Sequence, residues 1–151
     1  MDGYWTGPYA PLLQIPVLIV LLTREDHRMP YRLFLARHPR RPDAPRPLII
    51  DDLLRLAHLG QRTCVRAAVD MCQDLHQNGM ASRYIKHLGG PLYELKKYAS
   101  DGGARVYFLR QDQSFILVHA ECKKETQATQ ALLSDALDIL GALEGPNPLL
   151  Q

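Results

Sequence analysis

Apolar and polar positions alternate along three short runs in the second half of the chain, 92–98, 104–110 and 115–122. A period of two, rich in Val, Ile, Tyr and Phe, predicts β-strands. Tyr93, Leu95, Val106, Phe108, Ile116 and Val118 are the candidates for one face of the sheet or the other. Ser100-Asp101-Gly102-Gly103 forms a strong turn signal between the first two runs, and Gln111-Asp112-Gln113 a weaker one between the last two. An earlier run, 31–37, alternates Tyr31, Leu33 and Leu35 with Arg32, Phe34 and Ala36, and also reads as a strand. The period changes to 3.6 in three other places. Asp51 is the expected N-cap of a helix from Asp52, with Leu53, Leu54, Leu56 and Leu59 as its apolar side. Gly60 interrupts it, and a second helix over 61–77 carries Val65, Ala68, Val69, Cys72 and Leu75 until Asn78-Gly79 stops it. A last helix over 127–143 presents Ala131, Leu132, Ala136, Ile139, Leu140 and Leu143, and ends at Gly145-Pro146. The expected class is α+β: a helical hairpin packed on a small antiparallel meander, with a C-terminal helix.

The remaining segments punctuate this frame. Residues 38–47 hold four prolines and three arginines and cannot be helix interior, because proline lacks the N–H and clashes with the preceding turn. Residues 10–22 are apolar but contain Pro11, Gln14 and Pro16, and are too short to span a bilayer, which takes about 20 residues. No basic segment precedes them, so the expectation is a packing arm or buried strand and neither a signal peptide nor a membrane anchor. The chain then divides into an N-terminal extension, 1–29, for which Met29 is an alternative start, a domain over 30–145 and a tail over 146–151. With 151 residues and 46% hydrophobic content, one core is expected.

Net charge is only +2, but it is unevenly spread. Arginines dominate between Arg24 and Arg66, and Lys and Arg outnumber acids between Arg83 and Lys124; beyond Lys124 there are only acids. The cationic stretches suit an anion such as RNA, or an acidic partner. Three cysteines, Cys64, Cys72 and Cys122, without CxxC spacing, argue against a disulfide framework or a structural zinc site. A reducing cytoplasm is the simplest reading, with Cys64 and Cys72 as buried inert thiols. No metal or cofactor is expected.

The combination of LGGPLYELK (Leu88 to Lys96), GGARVYFL (Gly102 to Leu109) and FILVHAECKKETQ (Phe115 to Gln127), in this order of elements, resembles the RelE/ParE superfamily of bacterial toxins, in its HigB-like, phage-associated branch. The likeness covers 31–143 and is most specific over 93–124. It implies a RelE-like fold and the toxin of a type II toxin–antitoxin pair. Such a toxin is an mRNA interferase that cuts message on the ribosome without a metal, neutralised by a cognate antitoxin, a small helix-turn-helix protein. The same fold also serves ParE-like poisons of gyrase, and a member that has lost activity is the third reading.

Metal-free cleavage needs a base for the ribose 2′-OH, fixed cations for the charge that builds on phosphorus, and an acid for the leaving 5′-oxygen. By the resemblance, Arg105 is the phosphate clamp, the alternative being an arginine paired with Glu94. Lys96 contacts phosphate or helps activate the 2′-OH, or else is a solvated edge lysine. His119 is a general acid or base, or a buried structural histidine. Lys97, Arg110, Lys123 and Lys124 are candidate phosphate contacts, and Tyr93 a candidate stacking residue. Two departures weaken the match. Residues 126–151 contain no Tyr or His, and Glu121 stands beside the expected cations.

Overall fold

The protein is described by a computed structural model over residues 31–41, 43–123 and 130–143. The N-terminal extension, Lys124 and the tail lie outside the described residues. The elements, in order, are β1 (Arg32–Leu35), α1 (Leu48–His58), α2 (Arg62–Asn78), a 3₁₀ turn (Gly79–Ala81), β2 (Ile85–Gly89), β3 (Leu92–Ala99), β4 (Gly102–Gln111), β5 (Ser114–Lys123) and α3 (Gln130–Leu143). The architecture is mixed α+β. The sheet holds five strands in the order β1-β5-β4-β3-β2. β2 to β5 form an antiparallel meander, and β1 adds in parallel to β5.

The helical hairpin starts earlier than the sequence suggests. Asp51 does not cap α1: the N-cap is Pro47, at φ −61° and ψ 156°. The amide of Leu48 donates to the carbonyl of Ala36 at 3.1 Å, so the end of β1 takes one of the unpaired N–H groups of the first turn. Asp51 lies within that turn, where a carboxylate meets the positive end of the helix. Its oxygens accept from Arg46 Nε at 2.6 Å and pair with His38 Nε2 at 3.0 Å. Gly60, at φ +79°, separates α1 from α2. Gly79 closes α2 at φ +58°, and the Tyr31 ring occupies the space that a Cβ there would need.

The hairpin covers one face of the sheet. Ile49, Ile50, Leu53 and Leu56 of α1 and Val65, Ala68, Val69, Met71, Cys72 and Leu75 of α2 pack with Leu95, Ala104, Val106, Phe108, Phe115, Leu117 and Ala120. On the other face, Ala136 and Ile139 of α3 cover Leu92, Leu109, Ile116 and Val118. α3 thus shields one end of that face, and the polar end is where the candidate site lies.

Cysteine usage differs from the expectation. Cys64 and Cys122 form a disulfide with Cα atoms 6.0 Å apart, tying the start of α2 to the end of β5. The two are 58 residues apart in sequence, and only the packing of α2 on the sheet brings them together. Cys72 is the buried free thiol, pushed up to about 12 by burial, and so inert as expected.

Candidate functional site

The register of β3, β4 and β5 sets out three polar rows on the face away from the hairpin. Glu94, Tyr107 and His119 form the first, Lys96, Arg105 and Glu121 the second, and Tyr98, Gly103 and Lys123 the third. Residues two apart on a strand share a face, and partners in register share it too. Lys96, Arg105, His119 and Lys123 are therefore gathered on one side, as the sequence suggests. Tyr93 is not with them: it packs against the helix-side core and stacks on Phe108 with centroids 5.5 Å apart. Lys97 is in register with Ala104, a residue of that same core, and its amine lies 5.6 Å from the centre of the Tyr84 ring. Arg110 is exposed at the far end of β4, with Nε donating to the Asp112 carbonyl at 3.4 Å.

The polar face has a buried layer. Arg105 is 0% exposed and Glu94 1%. Their nearest charged atoms, Nη1 and Oε2, lie 3.9 Å apart, so the alternative pairing with Glu94 is the one observed. Tyr107, also 0% exposed, donates its hydroxyl to Glu121 Oε2 at 2.5 Å and hydrogen-bonds Arg105 as well. Burial, then the bond to Glu121, drives the Tyr107 phenol far above its ordinary value, so it remains a donor at every working pH. A phosphate cannot reach Arg105 directly in this arrangement. The guanidinium acts instead as a fixed positive charge beneath the partly exposed Lys96, Glu121 and Lys123.

A bulge re-aims His119. Tyr107 faces His119 while Phe108 faces Leu117, which leaves Val118 as the extra residue of β5. β1 pairs with β5 only as far as Leu117, so the amide of Ala120 points at an open edge; Asp52 of α1 accepts from it at 2.9 Å. The same Asp52 oxygen lies 2.5 Å from His119 Nδ1, and Asp135 of α3 lies 2.8 Å from Nε2. With a carboxylate on each ring nitrogen, the imidazole is held as a cation that donates twice. Burial works against the charge, but the hydrogen bonds and charges of Asp52 and Asp135 outweigh it and raise the His119 pKa. His119 thus joins α1, β5 and α3 and has no nitrogen left to move a substrate proton.

The sign of the pH effect follows. A histidine raised on folding contributes its stabilisation in full below its unfolded value, about 6.5, and loses it as pH climbs through the folded value. Wild-type stability minus that of His119→Gln, from urea midpoints, is expected to be about 1–3 kcal/mol in mildly acid solution and to shrink as pH rises. A difference that is flat with pH, or that grows, would remove the imidazolium from the account.

Sequence reasoning passes over both carboxylates. Asp52 is 3% exposed and shares the i, i+3, i+4 stripe of Ile49, Leu53 and Leu56, and an acid on a core-facing stripe is the signal that marks it. Asp135 falls between Leu132 and Ile139 in the same manner. Beside this junction a cleft of about 530 Å³ is lined by His38, Arg40, Arg41, Asp51, Arg55 and Asp135, among others. Most of its charges are paired: His38 with Asp51 at 3.0 Å, Arg40 with Asp138 at 3.1 Å and Asp135 at 3.8 Å, Arg55 with Asp52 at 3.3 Å; Arg41 is exposed at its rim. Among the described residues no group of His, Cys, Asp or Glu could hold a metal ion, and no helix is long and apolar enough to cross a membrane.

A family model described as phage-derived protein Gp49-like (DUF891) matches residues 52–140. That span contains the three polar rows, Asp52 and Asp135, and leaves out β1 and the proline loop. No curated protein and no solved structure matches the chain.

Proposed function

The chain belongs to the phage-derived Gp49-like family, part of the RelE/ParE-like toxin superfamily, and from that membership we propose that it is the toxin of a type II toxin–antitoxin pair acting as a ribosome-dependent mRNA endoribonuclease in the cytoplasm. The observation that supports an RNA target is the row Lys96–Arg105–Glu121, which puts a cation and a carboxylate on either side of a buried guanidinium. Lys96 and Glu121 stand two strand spacings apart, about 10 Å between backbones, with the covered guanidinium of Arg105 between them, so a phosphate above that row would meet a cation on one side and a carboxylate on the other.

In this reading Glu121, oriented by the Tyr107 hydroxyl, takes the proton of the ribose 2′-OH. The 2′-oxygen attacks the adjacent phosphorus, and the bond to the 5′-oxygen breaks, leaving a 2′,3′-cyclic phosphate. Lys96 gives its proton to the departing 5′-oxygen. Lys96, Lys123 and the field of Arg105 stabilise the charge on the phosphorane. Glu121, which on sequence looks like a liability beside the cations, becomes the base that His119 cannot be. The antitoxin, a small helix-turn-helix protein, and the ribosome are the partners this reading implies. The Cys64–Cys122 bond is the feature set against a reducing compartment.

Induction in a bacterial host, followed by primer extension on ribosome-bound message, tests the proposal. Growth arrest with cuts at codon positions is the expected outcome. Arrest with intact message and loss of supercoiling would replace it with gyrase poisoning. No arrest at all would leave an inactive binding protein, a reading favoured by the burial of Arg105 and the double pairing of His119.

A further inference from the structure

We propose that the Cys64–Cys122 bond is a reversible thiol–disulfide exchange site, opened at Cys122 by a dithiol reductant, and that opening it frees the end of β5 while the rest of the domain stays folded. The proposal does not rest on the nuclease reading. The two sulfurs differ in access. Cys64 is 0% exposed, whereas Cys122 is only partly buried, at the margin of the helix-side core. A thiolate from solvent therefore meets Cys122 Sγ first. Cys64 lies in the first turn of α2, where the positive end of the helix favours a departing thiolate. Asp101, which accepts from the Cys64 amide at 3.4 Å, is the charge that opposes it. Once protonated, the Cys64 thiol has an acceptor in place, the Gly102 carbonyl 3.7 Å from its sulfur. The start of α2 thus accommodates both redox forms.

In the exchange, one thiolate of the reductant attacks Cys122 Sγ, the bond to Cys64 breaks, and Cys64 leaves with the electron pair and takes a proton. The second thiolate of the reductant attacks its own sulfur in the mixed disulfide, and Cys122 leaves in the same way. Two electrons and two protons pass to the protein, and the reductant closes to a disulfide. Cys72 takes no part, being buried with its thiol pushed up to about 12.

The bond holds unlike partners at its two ends. α2 keeps its place without it. Asp101 accepts from the amides of Thr63 and Cys64 and from the Thr63 hydroxyl, and Val65, Ala68, Met71, Cys72 and Leu75 are buried against the sheet. The end of β5 is held differently. β1 pairs with β5 only as far as Leu117, and Asp52 fixes the strand at His119 and Ala120. Beyond Ala120 the neighbouring strand among the described residues is β4 alone, and there Ala104 and Gly103 face Cys122 and Lys123. An alanine and a glycine give those rows little side chain to pack. The Tyr107 hydroxyl holds the Glu121 side chain, so Cys122 and Lys123 are the segment that the bond fixes, and Asp52 marks where the release stops. Lys123 belongs to the polar rows, so the redox state sets how firmly their edge is ordered. An exchangeable bond also fits a compartment that is reducing at rest, where a structural one does not.

The test follows the full chain by hydrogen exchange and mass spectrometry, in oxidised glutathione and in dithiothreitol, without denaturant. Alkylation after unfolding should count one free thiol in the oxidised chain and three in the reduced one. Reduction is expected to go to completion in the folded protein and to reverse in oxidised glutathione. It should speed exchange about tenfold or more at the end of β5 while α1 and β3 keep their protection. Cys64→Ser should show the fast segment in either buffer, and oxidised glutathione should label its Cys122. In Cys122→Ser the buried Cys64 should be labelled about tenfold more slowly. A bond that dithiothreitol opens only in urea is a structural staple and overturns the inference. So does reduction that unfolds the whole domain, or that leaves exchange at the end of β5 unchanged, and so does faster labelling of Cys64 than of Cys122. Should Cys64→Ser fail to fold, wild type in dithiothreitol carries the test alone. None of these readouts uses cleavage. Message left uncut therefore sinks the nuclease and keeps the switch, and a bond that resists reduction in the folded chain does the reverse.

Discussion

Arg105→Ala is expected to lower the folding free energy by about 3–5 kcal/mol, a large part of what a domain of this size possesses. The cause is the carboxylate left behind. Glu94 is 1% exposed, and Arg105 Nη1, at 3.9 Å, is the charge that faces it. Removing the guanidinium strands a buried anion and takes a hydrogen bond from Tyr107, whose other partner, Glu121, is also acidic. Urea unfolding measures the loss directly. Pairing the change with Glu94→Gln should recover part of it, because the buried anion is then gone as well, and the double-mutant cycle gives the coupling. An unchanged urea midpoint in Arg105→Ala would show that the pair is not buried in solution. The sequence by itself predicts a variant that loses growth inhibition while staying folded. The buried position replaces that expectation: loss of toxicity in Arg105→Ala would report on folding as much as on chemistry.

Alternation makes the three main strands visible, because Leu95, Val106, Phe108, Ile116 and Val118 bury one face or the other against helices. The two helices of the hairpin are visible for the same reason, and Gly60 and Gly79 mark their ends. β2 is not, because Ile85–Gly89 is a half-exposed edge strand of mixed polarity. A strand stabilised by backbone pairing with β3 need not carry an apolar rhythm. The strand near Tyr31 is legible, but its parallel pairing to β5 is not, since the partners are distant in sequence and no local turn fixes them. At the candidate site, the shared face of Lys96, Arg105 and Lys123 follows from parity. The burial of Arg105, the bulge at Val118 and the two acids around His119 depend on how α1 and α3 dock, which no single strand encodes. The disulfide is hidden for the same reason, being created by the packing of α2 on β5.

Glu121→Gln and Lys96→Ala are each expected to reduce message cleavage by about 10²- to 10⁴-fold, the usual contribution of a positioned base or acid. Both side chains are partly exposed and lie on the rim of the buried layer, so the fold should survive either change. Their effects on binding should point in opposite directions. Gln at 121 keeps a partner for the Tyr107 hydroxyl while removing a negative charge beside the phosphate, so a single-stranded 2′-O-methyl RNA octamer, which lacks the attacking 2′-OH and cannot be cut, should bind at least as tightly as to wild type. Alanine at 96 removes a cation and should weaken binding and flatten its salt dependence by about the share of one phosphate. Tighter binding together with lost cleavage is hard to obtain from a folding defect, which lowers both. Full cleavage by Glu121→Gln would end the assignment of the base. A Glu121→Gln chain that cuts nothing yet still arrests growth would show that toxicity does not come from cleavage, and the polar rows would then be read as a surface that binds its target without cutting it.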